Sequence, residues 1–177
     1  ITVFGKWTTN TYSITLKISE ADKAKGAKFA KTNETELFIG GVNFGATEKA
    51  IEQLISNKIG ETTDSSRPVE KPHATFAGWY YTDDLGNEIK VVDENGNGVH
   101  AFDFAKDIDL VAKFNAVTYK LVVNANDDSM MQEVTGSNDA WPYDQKATFT
   151  ANPKDGYTLV RWLLNGEEYA PFGANKS

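Results

Sequence analysis

Ile1 to Leu16 reads ITVFGKWTTNTYSITL and Ile108 to Val123 reads IDLVAKFNAVTYKLVV, and the fold turns on reading the two stretches as one pattern. Set one above the other, Val3 falls on Leu110, Lys6 on Lys113, Trp7 on Phe114, Tyr12 on Tyr119 and Ile14 on Leu121, an offset of 107 residues from Ile1 to Ile108. A second match runs at an offset of 83: Thr75-Phe76-Ala77-Gly78-Trp79-Tyr80 lines up with Thr158-Leu159-Val160-Arg161-Trp162-Leu163. Self-similarity of this kind marks an array of modules. Arrays of small modules more often space, stack or bind than carry a catalytic centre.

The two offsets differ by 24 residues, which places an insertion between the first strand and the Trp motif of the complete module. The chain reads as a piece of a longer protein: residues 1–10 as the closing strand of a preceding module, 11–116 as a complete module with the insertion, and 117–177 as a second, divergent and incomplete one. In this reading Trp7, Phe76, Gly78, Trp79, Phe114 and Trp162 are the structural anchors of the repeat. Arg161 stands where Gly78 stands in the other copy, so packing beside the two tryptophans must differ.

Strand signals recur along both copies. Tyr12, Ile14, Leu16 and Ile18 alternate with Ser13, Thr15 and Lys17, as a half-buried strand requires. Strands are also expected over Ile1 to Thr8, Glu36 to Ile39, Thr75 to Tyr81, Glu88 to Val92 and Leu110 to Phe114. In the last module they are expected over Thr118 to Ala125, Gln132 to Val134, around Ala147, Phe149 and Ala151, and over Tyr157 to Leu164, with Asn165-Gly166 as a hairpin turn. Glu20 to Lys31 reads as a short helix or a loop, and Glu61 to Lys71 as a loop. The clearest helix spans Thr47 to Lys58: Thr47 suits an N-cap, Glu48 sits near the positive end of the dipole, and Ala50, Ile51, Leu54 and Ile55 form an apolar stripe. The fold class is therefore α+β and β-rich, with a helix laid on a sheet over the Trp79 region.

Composition narrows the function. The net charge of −7, with no Lys/Arg cluster, disfavours binding to nucleic-acid phosphate or an anionic membrane. No apolar run approaches the length of a membrane span. The absence of Cys excludes disulfides, thiolate metal sites and Cys nucleophiles.

At this level of detail the motifs resemble a family. Phe76-Ala77-Gly78-Trp79-Tyr80, Phe102-Asp103-Phe104 and Ile108-Asp109-Leu110-Val111-Ala112-Lys113-Phe114 resemble the Listeria–Bacteroides repeat, the B-repeat of internalin-like bacterial surface proteins. Asn152-Pro153-Lys154-Asp155-Gly156-Tyr157, leading to Trp162, resembles the divergent form of that repeat. The resemblance covers Tyr12 to Phe114 and, more loosely, Thr118 to Tyr169. It departs from the pattern between Ile18 and Thr75, where Ala21 to Gly45 is extra. It implies tandem small β-grasp (ubiquitin-like) modules on a secreted or wall-attached bacterial protein, without catalytic residues or cofactor. The partners it implies are a host or bacterial surface protein or glycan, and neighbouring repeats of the same chain.

Candidate sites were weighed against simpler roles. Asp93-Glu94-Asn95-Gly96-Asn97-Gly98 has oxygen ligands at alternate positions and Gly sixth, but its twelfth position is Phe104 where a calcium loop of the EF-hand type wants Glu. A tight turn accounts for it better. His73 and His100 lack companion ligands at metal-site spacing. Asp83-Asp84 and Asp127-Asp128 are adjacent carboxylates, whereas a glycosidase needs two across a cleft, and Asp is common in turns. Among the aromatics, Trp79 and Tyr81 share one strand face and Tyr80 the other. Trp141 and Tyr143 flank Pro142 in an expected loop and form a possible exposed platform for a ligand. Two functions follow: a non-catalytic stalk and adhesion or protein-interaction segment, or a carbohydrate-binding accessory module of a larger secreted enzyme.

Overall fold

The computed structural model describes residues 2–29, 34, 36–60, 69–143 and 145–169. The chain divides into two units, Ile1–Val117 and Thr118–Ser177.

The first unit runs β1 (Thr11–Lys17), α1 (Glu20–Lys23), β2 (Lys28–Phe29), β3 (Glu36–Asn43), α2 (Glu48–Gly60), β4 (Val69–Glu70), β5 (Ala74–Thr82), β6 (Glu88–Val92) and β7 (Ile108–Ala116). Five of its strands make a mixed sheet in the order β3-β1-β7-β5-β6. The central pair β1–β7 is parallel, with Leu16 beside Leu110; β3, β5 and β6 pair antiparallel with their neighbours. The fold is thus α+β and β-rich.

One face of the sheet is buried by the alternation seen in the sequence: Ile14 and Leu16 from β1, Leu37 and Ile39 from β3, Ile108, Leu110 and Ala112 from β7, and Trp79 and Tyr81 from β5. Helix α2 adds Ile51, Ile55 and Ile59 to this core. Each such aliphatic contributes about 1.5–3 kcal/mol before conformational entropy is set against it. Thr47 caps the helix, its hydroxyl accepting from the Ala50 N–H at 3.3 Å.

The segment between β1 and β3 contributes to the core. Ser19 caps α1, accepting from the Asp22 N–H at 3.1 Å, and β2 then pairs with β4, Phe29 beside Val69. Phe29 is buried and stacks on Trp79 with ring centroids 6.1 Å apart. Asp22 accepts from Lys71 at 2.8 Å and from the Ser19 hydroxyl at 2.5 Å. Lys71 in turn lies over the Phe114 ring at 5.3 Å, so α1 is tied to the chain entering β5. Strand β3 runs on through Gly40 and Gly41, past the expected end at Ile39. Within the expected loop Glu61 to Lys71, residues 61–68 lie outside the described residues, as do 30–33 and 35 of the extra segment.

Gly78 sits between two irregularities of the β5 ladders, one facing β7 and one facing β6. Its φ is +128°, and a Cβ there would lie 2.4 Å from the Val92 carbonyl oxygen. The bulge turns the chain so that Phe76 and Trp79, three residues apart, both reach the core side, with Phe76 edge-on to Trp79 at 5.7 Å and to Phe114 at 6.4 Å.

The strand expected over Ile1 to Thr8 is not formed among the described residues. Residues 2–10 belong to no strand, and Val3, Phe4 and Trp7 are 86%, 87% and 92% exposed. Trp7 thus lies outside the first unit's core: strand-patterned residues bury nothing without a sheet edge to pair with.

The second unit comprises β8 (Thr118–Leu121), β9 (Met131–Thr135), β10 (Asn138–Pro142), β11 (Thr150–Pro153), β12 (Trp162–Leu164) and β13 (Glu167–Tyr169). They form three separate ribbons, β10-β8, β11-β9 and β12-β13. The last closes through Asn165 and Gly166 at φ 52° and 91°, the positive angles a type I′ turn needs. Three sequence expectations are corrected here. The strand expected around Ala147 and Phe149 begins only at Thr150, the one expected from Tyr157 begins only at Trp162, and the one from Thr118 stops at Leu121. Strand β10 was not expected. Among the described residues each strand of these ribbons is paired on one edge alone, and short strands of this kind end where cross-strand partners end. Trp162 is half-buried with Phe149 edge-on at 5.0 Å, and so is not sunk in a core as Trp79 is.

Candidate functional site

The sheet face opposite α2 carries the partly exposed side chains of the first unit's strands. Register places Lys17, Val111, Tyr80 and Lys90 in one row across β1, β7, β5 and β6, with Glu36 opposite Lys17 on β3. In the next row Phe38 sits beside Thr15 and Thr15 beside Asp109. Phe38 is 63% exposed on the edge strand β3.

Charges on this face are paired. Lys17 donates to Asp109 at 2.8 Å and lies 3.9 Å from Glu36. The Asp109 hydrogen bond, with the charge of the Asp109 and Glu36 carboxylates, raises the Lys17 pKa against desolvation. Lys90 lies over the Tyr80 ring at 5.4 Å and bonds Glu94 at 3.1 Å. Contact with the Tyr80 side chain, then Glu94, raises its pKa. Lys113 bonds Glu88 at 2.5 Å.

A shallow depression of about 390 Å³ opens at one end of the face, lined by Thr15, Tyr81, Asp84, Lys106, Asp109 and Val111 among others. Its ionisable groups are already partnered. Lys106 donates to both Asp84 oxygens at 2.8 and 2.9 Å and lies over Tyr81 at 5.7 Å; the Asp84 bond first, then Tyr81, raises its pKa strongly. Asp107 accepts from the Ser13 N–H at 2.7 Å. Paired, solvent-exposed ions of this kind fix surface geometry and contribute little stability each.

The two Asp-rich segments turn out to be copies of one loop. Asp83 accepts from the Leu85 and Asn87 N–H groups at 2.9 and 2.7 Å and from the Asn87 amide at 2.9 Å. Asp93 accepts from the Asn95 and Asn97 N–H groups at 2.9 and 2.8 Å and from the Asn97 amide at 3.0 Å. The Asn87 bonds lower the Asp83 pKa; at Asp93 burial pushes upward, and the Asn97 and Asn95 bonds outweigh it. The carboxylates are thus turned inward on their own backbone, as in Asx turns. Gly98, the sixth position counted from Asp93, is required by packing: a Cβ there would sit 2.0 Å from the Glu48 carbonyl at the start of α2. Asp127 likewise accepts from the Ser129 N–H at 2.8 Å, and Ser129 lowers its pKa.

His73 lies in the turn before β5 at φ 54°. His100 stacks on Phe104 at 5.4 Å, with its Nδ1 2.7 Å from the Ala101 carbonyl oxygen. Among the described residues no group of three or more His, Cys, Asp or Glu is arranged to hold a metal ion.

In the second unit Trp141 lies in β10, opposite Tyr119, and not in a loop. Its ring is half-buried and its indole N–H donates to the Gln145 carbonyl at 3.0 Å. The exposed aromatic surface is made instead by Tyr143 and Tyr119, 53% and 47% exposed, with ring centroids 6.2 Å apart. Tyr143 keeps its expected exposure; its companion is Tyr119, which only the β8–β10 pairing could have brought there.

No helix among the described residues is long and apolar enough to cross a membrane. No family model, curated protein or solved structure matches the chain.

Proposed function

We propose that the chain is a non-catalytic repeat segment of a secreted or cell-surface bacterial protein, serving as stalk and as an adhesion or protein-interaction module. The observation that carries this reading is the strand order β3-β1-β7-β5-β6 with a parallel central pair and a helix following β3. Counting only these five strands in chain order, the order is 2-1-5-3-4, which supports reading the first unit as a β-grasp module. The internal repeat, with its Trp79 and Trp162 motifs, supports a tandem of such modules, the second divergent. The partnered carboxylates at Asp83, Asp84, Asp93, Asp107 and Asp109 support an interaction role over acid–base chemistry, which needs a group free to exchange a proton.

The surface assigned to a partner is the uncovered sheet face, with Phe38, Tyr80 and Val111 amid paired charges. A surface protein or glycan of the host or a neighbouring bacterium is the partner class; nucleic acid is not, given the charge of −7. The test is a screen of the full chain against extracellular-matrix proteins and a glycan array, repeated with Phe38→Ala and Tyr80→Ala. Binding to a protein, weakened in either variant, is the expected result. Glycan binding lost in Trp141→Ala or Tyr143→Ala would replace this reading with the carbohydrate-binding accessory module.

A further inference from the structure

The sequence holds three Asn-Gly pairs: Asn95-Gly96, Asn97-Gly98 and Asn165-Gly166. Each is a dipeptide that can react with itself. The main-chain nitrogen of the glycine, once it gives up its proton, can attack the side-chain Cγ of the asparagine before it, and glycine has no Cβ to obstruct the approach. In a folded chain the attack has two requirements. The carboxamide must swing onto the glycine nitrogen, and that nitrogen must not be held by a hydrogen bond of its own. Positioning that brings reacting atoms together supplies rate, and positioning that keeps them apart withholds it.

The loop at Asp93 keeps both of its pairs apart. The Asn97 carboxamide donates to one Asp93 oxygen at 3.0 Å and its main-chain N–H to the other at 2.8 Å, while the Asn97 carbonyl accepts from the Asp93 N–H at 2.9 Å. The Gly98 N–H points at the Glu52 carboxylate at 3.4 Å, and negative charge there opposes loss of its proton. Gly98 is also wedged under the Glu48 carbonyl, where even a Cβ would not fit. At the neighbouring pair the Gly96 N–H donates to the Asp93 carbonyl at 3.1 Å, and the Asn95 N–H is held by the Asp93 carboxylate at 2.9 Å.

The turn between β12 and β13 has none of these restraints. Asn165 and Gly166 are both exposed, and the strand ladder closes on either side of them, at Leu164 and Glu167. Among the described residues no hydrogen bond holds the Asn165 carboxamide or the Gly166 N–H, and nothing lies within 4 Å of a Cβ added at Gly166.

We propose that Asn165 is a site of spontaneous covalent modification, the position at which the folded chain first converts an asparagine to aspartate and isoaspartate. The Gly166 nitrogen loses its proton to solvent base and bonds to the Asn165 Cγ. The Cγ–Nδ2 bond breaks, the departing nitrogen takes a proton from solvent and leaves as ammonia, and a cyclic imide remains. Water then opens the imide. Addition at the former side-chain carbonyl gives aspartate; addition at the main-chain carbonyl gives isoaspartate, with the main chain running through the former side chain. The sum is one water consumed and one ammonia released, without oxidant or enzyme. The isoaspartyl product lengthens the main chain at residue 165 by a methylene and adds a carboxylate beside Glu167 and Glu168. The positive φ values of the turn then no longer set the β12–β13 register. None of this depends on what the uncovered face of the first unit binds.

The test incubates the full chain at mildly alkaline pH, folded and in parallel in guanidinium chloride. Digested peptides are followed by mass spectrometry, with fragmentation to place each amide-to-acid change. In the folded chain Asn165 should be modified first, and Asn97 more slowly by about tenfold or more, the scale of one hydrogen bond to a charged group that must break before ring closure. In guanidinium the three pairs should react at similar rates. Asp93→Ala, kept below its melting transition, should speed the reaction at Asn97 by about tenfold and leave that at Asn165 unchanged. Modification of Asn95 or Asn97 as fast as Asn165 in the folded chain overturns the proposal, and so does an Asn165 that stays intact when folded while reacting in guanidinium. An order of reaction that persists in guanidinium overturns it too, because the order would then come from the sequence and not from the fold.

Discussion

Replacing Gly78 by Ala tests whether the β5 bulge sets the position of Trp79. Two costs are readable from the geometry. At φ +128° an L-residue is strained, at about 1–3 kcal/mol. The new methyl would also stand 2.4 Å from the Val92 carbonyl oxygen and 3.3 Å from the Tyr80 ring. That oxygen is main chain of the neighbouring strand, and it moves only if the β5–β6 ladder moves. Overpacking of this kind costs about 1–3 kcal/mol. Together they give about 2–6 kcal/mol, a large share of the roughly 5–15 kcal/mol that holds a domain folded. At roughly 4–8 °C per kcal/mol for a domain near this size, the melting temperature of the first unit should fall by about 10 °C or more. Gly86→Ala is the control: its φ is +85° but nothing lies within 4 Å of the added Cβ, so only backbone strain is paid, about 1–2 kcal/mol. Urea and thermal unfolding followed by far-ultraviolet circular dichroism measure both. If Gly78→Ala is no more destabilising than Gly86→Ala, the close approach of β5 to the Val92 carbonyl is not what fixes glycine at this position.

Phe29→Ala should cost about 3–5 kcal/mol in the same unfolding assay, because it empties the space against Trp79; a loss below 1 kcal/mol would make the insertion an appendage. Asp22→Asn should cost about 1–3 kcal/mol at pH 7, since it weakens the bonds to Lys71 and Ser19. Burial alone would raise the Asp22 pKa, but Lys71 and Ser19 outweigh it and hold it below the ordinary value, so the folded pKa is the lower one. Its contribution is then complete above the unfolded value of about 4 and lost as pH falls through the depressed folded value. The wild-type and Asn variants should accordingly converge in stability as pH drops from 6 toward the acid limit; a constant gap would contradict this. Asp83→Ala and Asp93→Ala should each lower the melting temperature of the first unit, and by similar amounts, since each removes the same three bonds, and calcium should restore neither.

What could be read in the sequence was whatever repeats with a period. The alternation at Tyr12 to Ile18 and the stripe Ile51, Leu54, Ile55 follow from side-chain direction, and the structure has a strand and a helix there. The bulge at Gly78 was signalled only as a glycine that the second copy replaces by Arg161. Its reason, a carbonyl from β6, lies fourteen positions away and has no local signature. Phe29 was invisible for the same cause: β2 has two residues, too few to show a period, and its value comes from Trp79. At Trp141 the neighbouring Pro142 argued for a loop, but Pro at the end of an edge strand gives up no ladder bond.

The most instructive disagreement is at the two tryptophans. Trp79 and Trp162 fall on one another in the sequence match, yet one is fully buried and the other half-buried. The residue beside the ring does not account for this alone, since Arg161 points its charge toward Glu168 and leaves the indole packed on Phe149. What differs is the strand on the other side. Trp79 has Ala112 of β7 opposite it, and β7 closes the sheet. Trp162 has Tyr169 opposite it on one edge, and among the described residues no strand pairs with its other edge. Burial of a sheet residue depends on both neighbours, so a motif repeated in sequence becomes a core repeated in space only where the joining strand is supplied.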